Sequence, residues 1–272
     1  MARKLRVQYP GAIYHVLNRG DRREEIFKDD QDRERFLETL GEVCAKTGWQ
    51  VLACCLMANH FHLVVETPQA NLVAGMKWFL GTYTSRFNRR HKLFGHLFSG
   101  RYKSLIVDGS GNGYLRTVCD YVHLNPARAR LLKPERRLRE YRWSSWPEYL
   151  KAPGKRWPWL RVERLLGEHR IPQDSAAGRR QLEEALESRR AAEDGNDYKP
   201  IRRGWFFGAK TLQEELLAAV AGQAGGWHYG EELREADEAK AERIVGEELK
   251  RRQWEEKADR KSTRLNSSHG KL

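Results

Sequence analysis

The sequence predicts an α+β fold: a ferredoxin-like antiparallel sheet with helices packed on one face. Three observations predict it. Several apolar segments are short enough for strands, longer ones place their apolar residues at helical spacing, and the two kinds alternate as β, α, β, β, α, β, then α. The sheet face left uncovered by those helices is then free to carry a site.

The elements follow in order. Gly11 opens a strand, Ala12 to Asn18, closed by Arg19-Gly20-Asp21. Asp29-Asp30 supply N-cap candidates for a helix to about Ala45, with Phe36, Leu37, Leu40 and Val43 at helical spacing, and Gly48 breaks it. Two apolar segments, Gln50 to Met57 and Phe61 to Thr67, joined by Ala58-Asn59-His60, read as a hairpin, and Pro68 ends it. Asn71 begins a second helix through Val73, Met76, Phe79, Leu80 and Tyr83 to about Arg90. A loop rich in Gly and His leads to a strand from Tyr102 to Val107. The run Asp108 to Gly113 then yields to a third helix, Tyr114 to about Leu124. Asn125-Pro126 should terminate it, because the residue before proline disfavours the α region.

Beyond Trp143-Ser144-Ser145-Trp146 the character changes. Lys151 to Lys155 reads as a linker, which places one domain over residues 6–150 and a mostly helical extension over 151–260. Helical stretches are expected at about Arg179 to Ala192 and Lys210 to Ala221, with Arg202 to Gly208 between them, followed by a highly charged stretch from Glu231 to Lys257. Residues 261–272 are polar, lack periodicity and read as a disordered tail.

With 40% hydrophobic residues in 272, a sizeable core can form. Runs such as Val51 to Met57 fall far short of the ~20 apolar residues that span a bilayer, and the basic start is not followed by the apolar stretch of a signal peptide. A cytoplasmic protein without a membrane partner is expected. The four cysteines, Cys44, Cys54, Cys55 and Cys119, have no CxxC spacing and read as reduced packing residues.

The net charge of +13 is concentrated. Residues 1–150 hold 25 Lys and Arg against 15 Asp and Glu; residues 151–272 hold 25 against 22. Lys77 to Arg142 holds 15 against 4. Positive charge gathered in one stretch attracts a polyanion and releases its counterions on contact, which favours a nucleic-acid partner over a merely solvated basic surface.

Chemistry centres on His60-Phe61-His62 at the start of a strand. Alternation turns both imidazoles to one face and Phe61, with Leu63 and Val65, to the core. Two imidazoles so spaced can bind one divalent cation, although HxH by itself more often marks two surface histidines on a half-exposed strand. Tyr121 and Asn125, four apart on a helix, share a face. A phenol with a pKa of ~10 attacks poorly unless it is deprotonated as it reacts and the phosphate is polarised. Two imidazoles and one amide oxygen leave positions open on an octahedral ion, which suits Mg²⁺ or Mn²⁺ better than structural zinc. A packed tyrosine and a helix-capping asparagine are the plainer alternatives.

His60-Phe61-His62 after Leu56-Met57-Ala58-Asn59, the segment Gly100-Arg101-Tyr102-Lys103-Ser104, and Asp120-Tyr121-Val122-His123-Leu124-Asn125-Pro126 resemble the single-tyrosine HUH transposases, above all the REP-associated tyrosine transposases. Gly11 to Val16 with Asn18-Arg19-Gly20 is similar to that family's first strand, and the likeness spans about residues 6–150. Such members often carry proline where this chain has Ala58. The resemblance implies a nuclease domain in which His60 and His62 hold the metal, Asn125 completes the site and Tyr121 is the nucleophile. It implies transesterification on single-stranded or hairpin DNA through a 5′-phosphotyrosine link, with no need for ATP. Arg19, Arg101, Lys103, Arg128 and Arg130 are candidate phosphate contacts, and Arg136, Arg137 and Arg139 are expected along the approach. Tyr102, Trp143 and Trp146 are candidate stacking surfaces, the tryptophans being more readily packing residues. His15, His91, His96 and His123 are not assigned to the metal. Other readings are a domesticated DNA-binding protein, a replication-type HUH nuclease, or an RNA-binding module, whose aromatic positions are held here by histidine and cysteine. Monomer and homodimer stay open.

Overall fold

The computed structural model describes residues 6–193 and 198–221, so the expected charged stretch from Glu231 and the tail lie outside the described residues. Arg6–Leu216 form one compact unit. Its elements are β1 (Ala12–Arg19), α1 (Asp30–Thr47), β2 (Gln50–Met57), β3 (His60–Thr67), α2 (Leu72–His91), β4 (Lys103–Val107), α3 (Tyr114–His123) and α4 (Asn125–Arg128). There follow α5 (Trp146–Leu150), α6 (Glu163–Glu168), α7 (Ala176–Ala191), α8 (Lys199–Arg203), β5 (Phe206–Phe207) and α9 (Lys210–Ala221). Among the described residues no helix is long and apolar enough to cross a membrane.

Strand order is β2-β3-β1-β4-β5. The first four strands are antiparallel, the ferredoxin-like arrangement that the element order predicts. β5 is an addition. It pairs in parallel with β4, Ile106 beside Phe206 and Val107 beside Phe207, so the sheet is mixed at that edge. A strand of two residues has no period to read, which is why the sequence shows only an aromatic run there.

One face of the sheet builds the core with α1 and α2. Phe61 packs 5.0 Å from Phe36 and 6.3 Å from Phe79, centroid to centroid, and Tyr83 donates from its hydroxyl to the Ile26 carbonyl at 2.6 Å. Asp29 caps α1 by accepting from the Asp32 amide at 3.0 Å, and Gly48 ends it in the left-handed region at φ +72°. Asn71 precedes α2 but does not cap it. Its side chain instead accepts from Trp49 Nε1 at 2.8 Å and donates to the Thr47 carbonyl at 2.9 Å. That indole lies so close to Gly75 that a Cβ there would stand 2.1 Å from the ring.

The opposite face is not bare, because α3 lies across it. Two boundaries differ from the sequence expectation. His60 belongs to β3, paired with Met57, leaving a two-residue turn at Ala58-Asn59. Proline does not stop the helical path at Asn125: α3 ends at His123, and Asn125 begins the short α4 with Pro126 in its first turn. Proline lacks only an N–H, which the first turn of a helix does not need.

After α4 the chain returns to seal the β2 edge. Ser145 donates its amide to the Cys54 carbonyl at 2.9 Å, and Arg161 donates to the Val51 carbonyl at 2.8 Å. Covering an edge strand removes a row of unpaired backbone groups. Trp146 is buried, as the packing reading expects, while Trp143 is half-buried beneath the Arg142 guanidinium at 4.4 Å. His123 faces away from the sheet's histidines, 2.8 Å from Ser145 Oγ and against Trp146 and Tyr149.

Burial lowers the His123 pKa from 6.5 to about 4. The unfolded chain takes up this proton near its ordinary value and the folded chain does not. Stability is therefore fullest above that value and falls as the pH drops toward 4. His123→Gln should make this fall shallower by up to about 3 kcal/mol at pH 4, read from urea denaturation at a series of pH values.

Candidate active site

The β1–β3 register assembles the site. Arg19 stands opposite His60, Leu17 opposite His62 and His15 opposite Val64. Alternation sends His15, His60 and His62 to the face that α3 covers, while Tyr14, Val16 and Phe61 enter the core. The His60 and His62 rings lie 5.3 Å apart. Tyr121, on the inner side of α3, sets its ring edge-on at 5.7 Å from both His62 and His15. The two imidazoles and the phenol thus meet within one chain.

Each imidazole has one nitrogen engaged. His60 Nδ1 lies 2.7 Å from Asn59 Oδ1, and His62 Nδ1 lies 2.9 Å from His15 Nε2. The Nε2 atoms of His60 and His62 are thereby left for another partner. Burial, with Arg19 adding, lowers the His60 pKa to about 4. Burial, followed by His15 and His60, holds His62 well below 6.5, and burial with Arg128 brings His15 to about 3. All three are neutral at neutral pH, the state in which imidazole offers a lone pair to an ion.

Asn125 is buried at the start of α4, and its Nδ2 has no hydrogen-bond partner. Among the described residues no three His, Cys, Asp or Glu side chains converge as a ligand set. A third ligand beside the two histidines would then be a side chain of another kind, such as the Asn125 oxygen; the unpartnered Nδ2 is a hydrogen-bond donor and cannot ligate. Two imidazoles with free Nε2 atoms and one amide suit an ion with several open positions.

The candidate cations divide. Arg19 and Lys103 are exposed, and Lys103 stands opposite Leu17, which in turn faces His62 across the next pairing. Arg101, just before β4, and Arg130, at φ +56°, are also exposed. Arg128 is drawn inward instead. Its guanidinium lies 4.0 Å over the Tyr121 ring and 4.8 Å over Tyr198, pairs with Glu193 at 3.1 Å, and donates to the Tyr121 carbonyl. Arg136, Arg137 and Arg139 are exposed too, but each has a carboxylate nearby: Arg136 pairs with Glu140 at 2.6 Å, and Arg137 and Arg139 share Glu183 at 3.7 and 3.4 Å. Tyr102 is buried beneath the Arg6 guanidinium at 3.5 Å and offers no open stacking face.

Residues to which the sequence assigns no role complete the surroundings. His15 had a signal, since alternation already separates it from Tyr14 and Val16. Tyr198, 5.1 Å from Tyr121, and Glu193 had none, because nothing local to them indicates that the chain returns to this site. Asp120 accepts from Arg189 at 2.9 Å and ties α3 to α7 just beside Tyr121.

Residues 8–125 match the family model described as transposase, IS200-like. Among solved structures, a REP-associated tyrosine transposase bound to a REP hairpin aligns at 14% identity and a TM-score of 0.44, over 53% of this chain and 82% of that one. A structure described as a candidate transposase of Deinococcus radiodurans R1 aligns at 19% identity and a TM-score of 0.32, over 44% and 95%. No curated protein matches the chain. The family match supports the tyrosine-transposase family that the motifs indicate.

Arg128→Ala should leave Glu193 and the Tyr121 carbonyl without their partner and cost about 1–3 kcal/mol in urea denaturation. Arg128→Lys should recover only part of this, since an ammonium lacks the flat face that lies over the two rings.

Proposed function

We propose that this chain is a metal-dependent transposase that cuts single-stranded DNA, at hairpin-forming sequences, with Tyr121 as nucleophile. The observation that carries the reading is the meeting of the Tyr121 ring with the His62 imidazole, 5.7 Å apart and beside His60, in a segment that matches IS200-like transposases. In the reaction, the Tyr121 oxygen bonds to the phosphorus of a backbone phosphodiester as the bond from phosphorus to the 3′-oxygen breaks. The phenol proton is lost and the 3′-oxygen takes up a proton, leaving a 5′-phosphotyrosine and a free 3′-OH. Because the phosphodiester energy is kept in the new link, attack by another 3′-OH reverses the step and joins strands.

His60 and His62, through Nε2, and Asn125, through its amide oxygen, would hold Mg²⁺ or Mn²⁺. The bound ion supplies polarisation of the phosphate and neutralises its developing charge. Packing of α3 against the sheet holds the phenol beside the imidazoles, and such positioning substitutes for much of the entropy cost of bringing reactants together. Arg128 we assign to holding the Tyr121 ring rather than to tracking DNA. Arg19 and Lys103 flank the histidines and are the preferred phosphate contacts, with Arg101 and Arg130 further out. Phe94, 97% exposed two residues after Lys92, offers a stacking face for an unpaired base in place of Tyr102.

Incubation with a single-stranded hairpin and Mn²⁺ should yield a protein–DNA adduct that survives denaturing electrophoresis. Tyr121→Phe should abolish the adduct while DNA binding persists; a normal yield would mean a different nucleophile. His60→Ala should slow cleavage by on the order of 100-fold or more and remove its dependence on the ion. Arg19→Ala and Lys103→Ala should each weaken binding and lower the slope of log affinity against log salt by about 0.7, measured by fluorescence anisotropy.

A further inference from the structure

We infer that His15 is a positioning residue for His62: by accepting the His62 Nδ1–H at its own Nε2, it supports the tautomer whose Nε2 lone pair would hold the metal. The inference rests on the reading of His60 and His62 as ligands. The His15 and His62 rings stack at 5.2 Å and 13°, with His15 Nε2 2.9 Å from His62 Nδ1, and both side chains are buried. This is the diagonal contact of neighbouring antiparallel strands: Leu17 opposes His62, and His15 is two residues away on the same face.

A contact between two ring nitrogens needs one donor and one acceptor, and two neutral imidazoles can meet it in two ways. In the first, His62 Nδ1–H donates to His15 Nε2. The lone pair of His62 is then on Nε2, where a ligand needs it, and His15 carries its own proton on Nδ1. In the second, His15 Nε2–H donates to His62 Nδ1, and the His62 proton occupies Nε2 and blocks ligation. The proton count of the pair is the same in both.

The two ligand histidines are supported differently. His60 Nδ1 faces Asn59 Oδ1, an oxygen that can only accept, so the tautomer of His60 follows from one bond. His62 faces a ring that can do either. His15 Nδ1 is buried without a partner, an unanswered donor in the first arrangement and an unanswered acceptor in the second. Nothing else bonded to His15 therefore breaks the tie, and an ion on His62 Nε2 selects the first. A histidine here for packing alone would leave this polar atom buried to no purpose, whereas an apolar residue would fill the space without it.

The test uses the full chain with ¹⁵N-labelled histidine. Two-bond ¹H–¹⁵N spectra at saturating Mg²⁺ should show both His62 and His15 with the proton on Nδ1; His15 protonated on Nε2 would overturn the inference. Mn²⁺ affinity, by calorimetry, gives a second readout. His15→Leu should weaken it about 10-fold or more, while His15→Gln, whose side-chain oxygen can still accept, should restore most of the loss. Equal loss in both variants would show a merely structural role and overturn the inference, as would wild-type affinity in His15→Leu. If His60→Ala binds Mn²⁺ as the wild type does, the ligand reading fails first and the inference goes with it.

Discussion

Phe61 sits between two histidines and points the other way. Its ring is locked into the aromatic core with Phe36, Phe79 and Phe98, and burial of an aromatic side chain of this size outweighs any preference a flanking imidazole has for solvent. A strand has only two faces, so this one packing choice commits His60 and His62 to the opposite side together. Slipping β3 by a single residue would drive both imidazoles into the core and expel Phe61, Leu63 and Val65. The candidate site is thus held in place from behind, by apolar contacts that take no part in its chemistry.

The same face sets the electrostatics. Tyr121 comes from α3 and covers the imidazoles, which keeps them neutral by excluding water and places Arg128 against the outer side of the phenol. A guanidinium stacked on a tyrosine ring and paired with Glu193 is a fixed, partly neutralised charge, not a mobile one. Positive charge free to meet a polyanion is then drawn from Arg19, Lys103, Arg101 and Arg130, all exposed. The number of cations in this stretch therefore overstates what is available at the site, since Arg136 has Glu140 as a partner and Arg137 and Arg139 share Glu183.

The segment after residue 150 is more than an appendage to this arrangement. It seals the β2 edge through Arg161, adds β5 beyond β4, and sends Glu193 and Tyr198 to Arg128 and Tyr121. Through Asp120 and Arg189 it also ties α3 to α7, so that the helix bearing the phenol is held from two sides.

Much of this is legible in the sequence alone. Period-two alternation separated Phe61 from His60 and His62, helical spacing found α1 and α2, and the motif around Tyr121 and Asn125 marked the remaining candidates. These are local properties, carried by residues within a few positions of one another, and they suffice for the α+β order and for marking candidate side chains. What they could not supply was partnership. His15 meets His62 because of a strand register, Arg128 turns inward because Tyr198 and Glu193 arrive from far along the chain, and β5 exists because β4 offers an open edge. Each depends on packing between segments distant in sequence, where the free energy belongs to the pair and leaves no periodic mark on either partner.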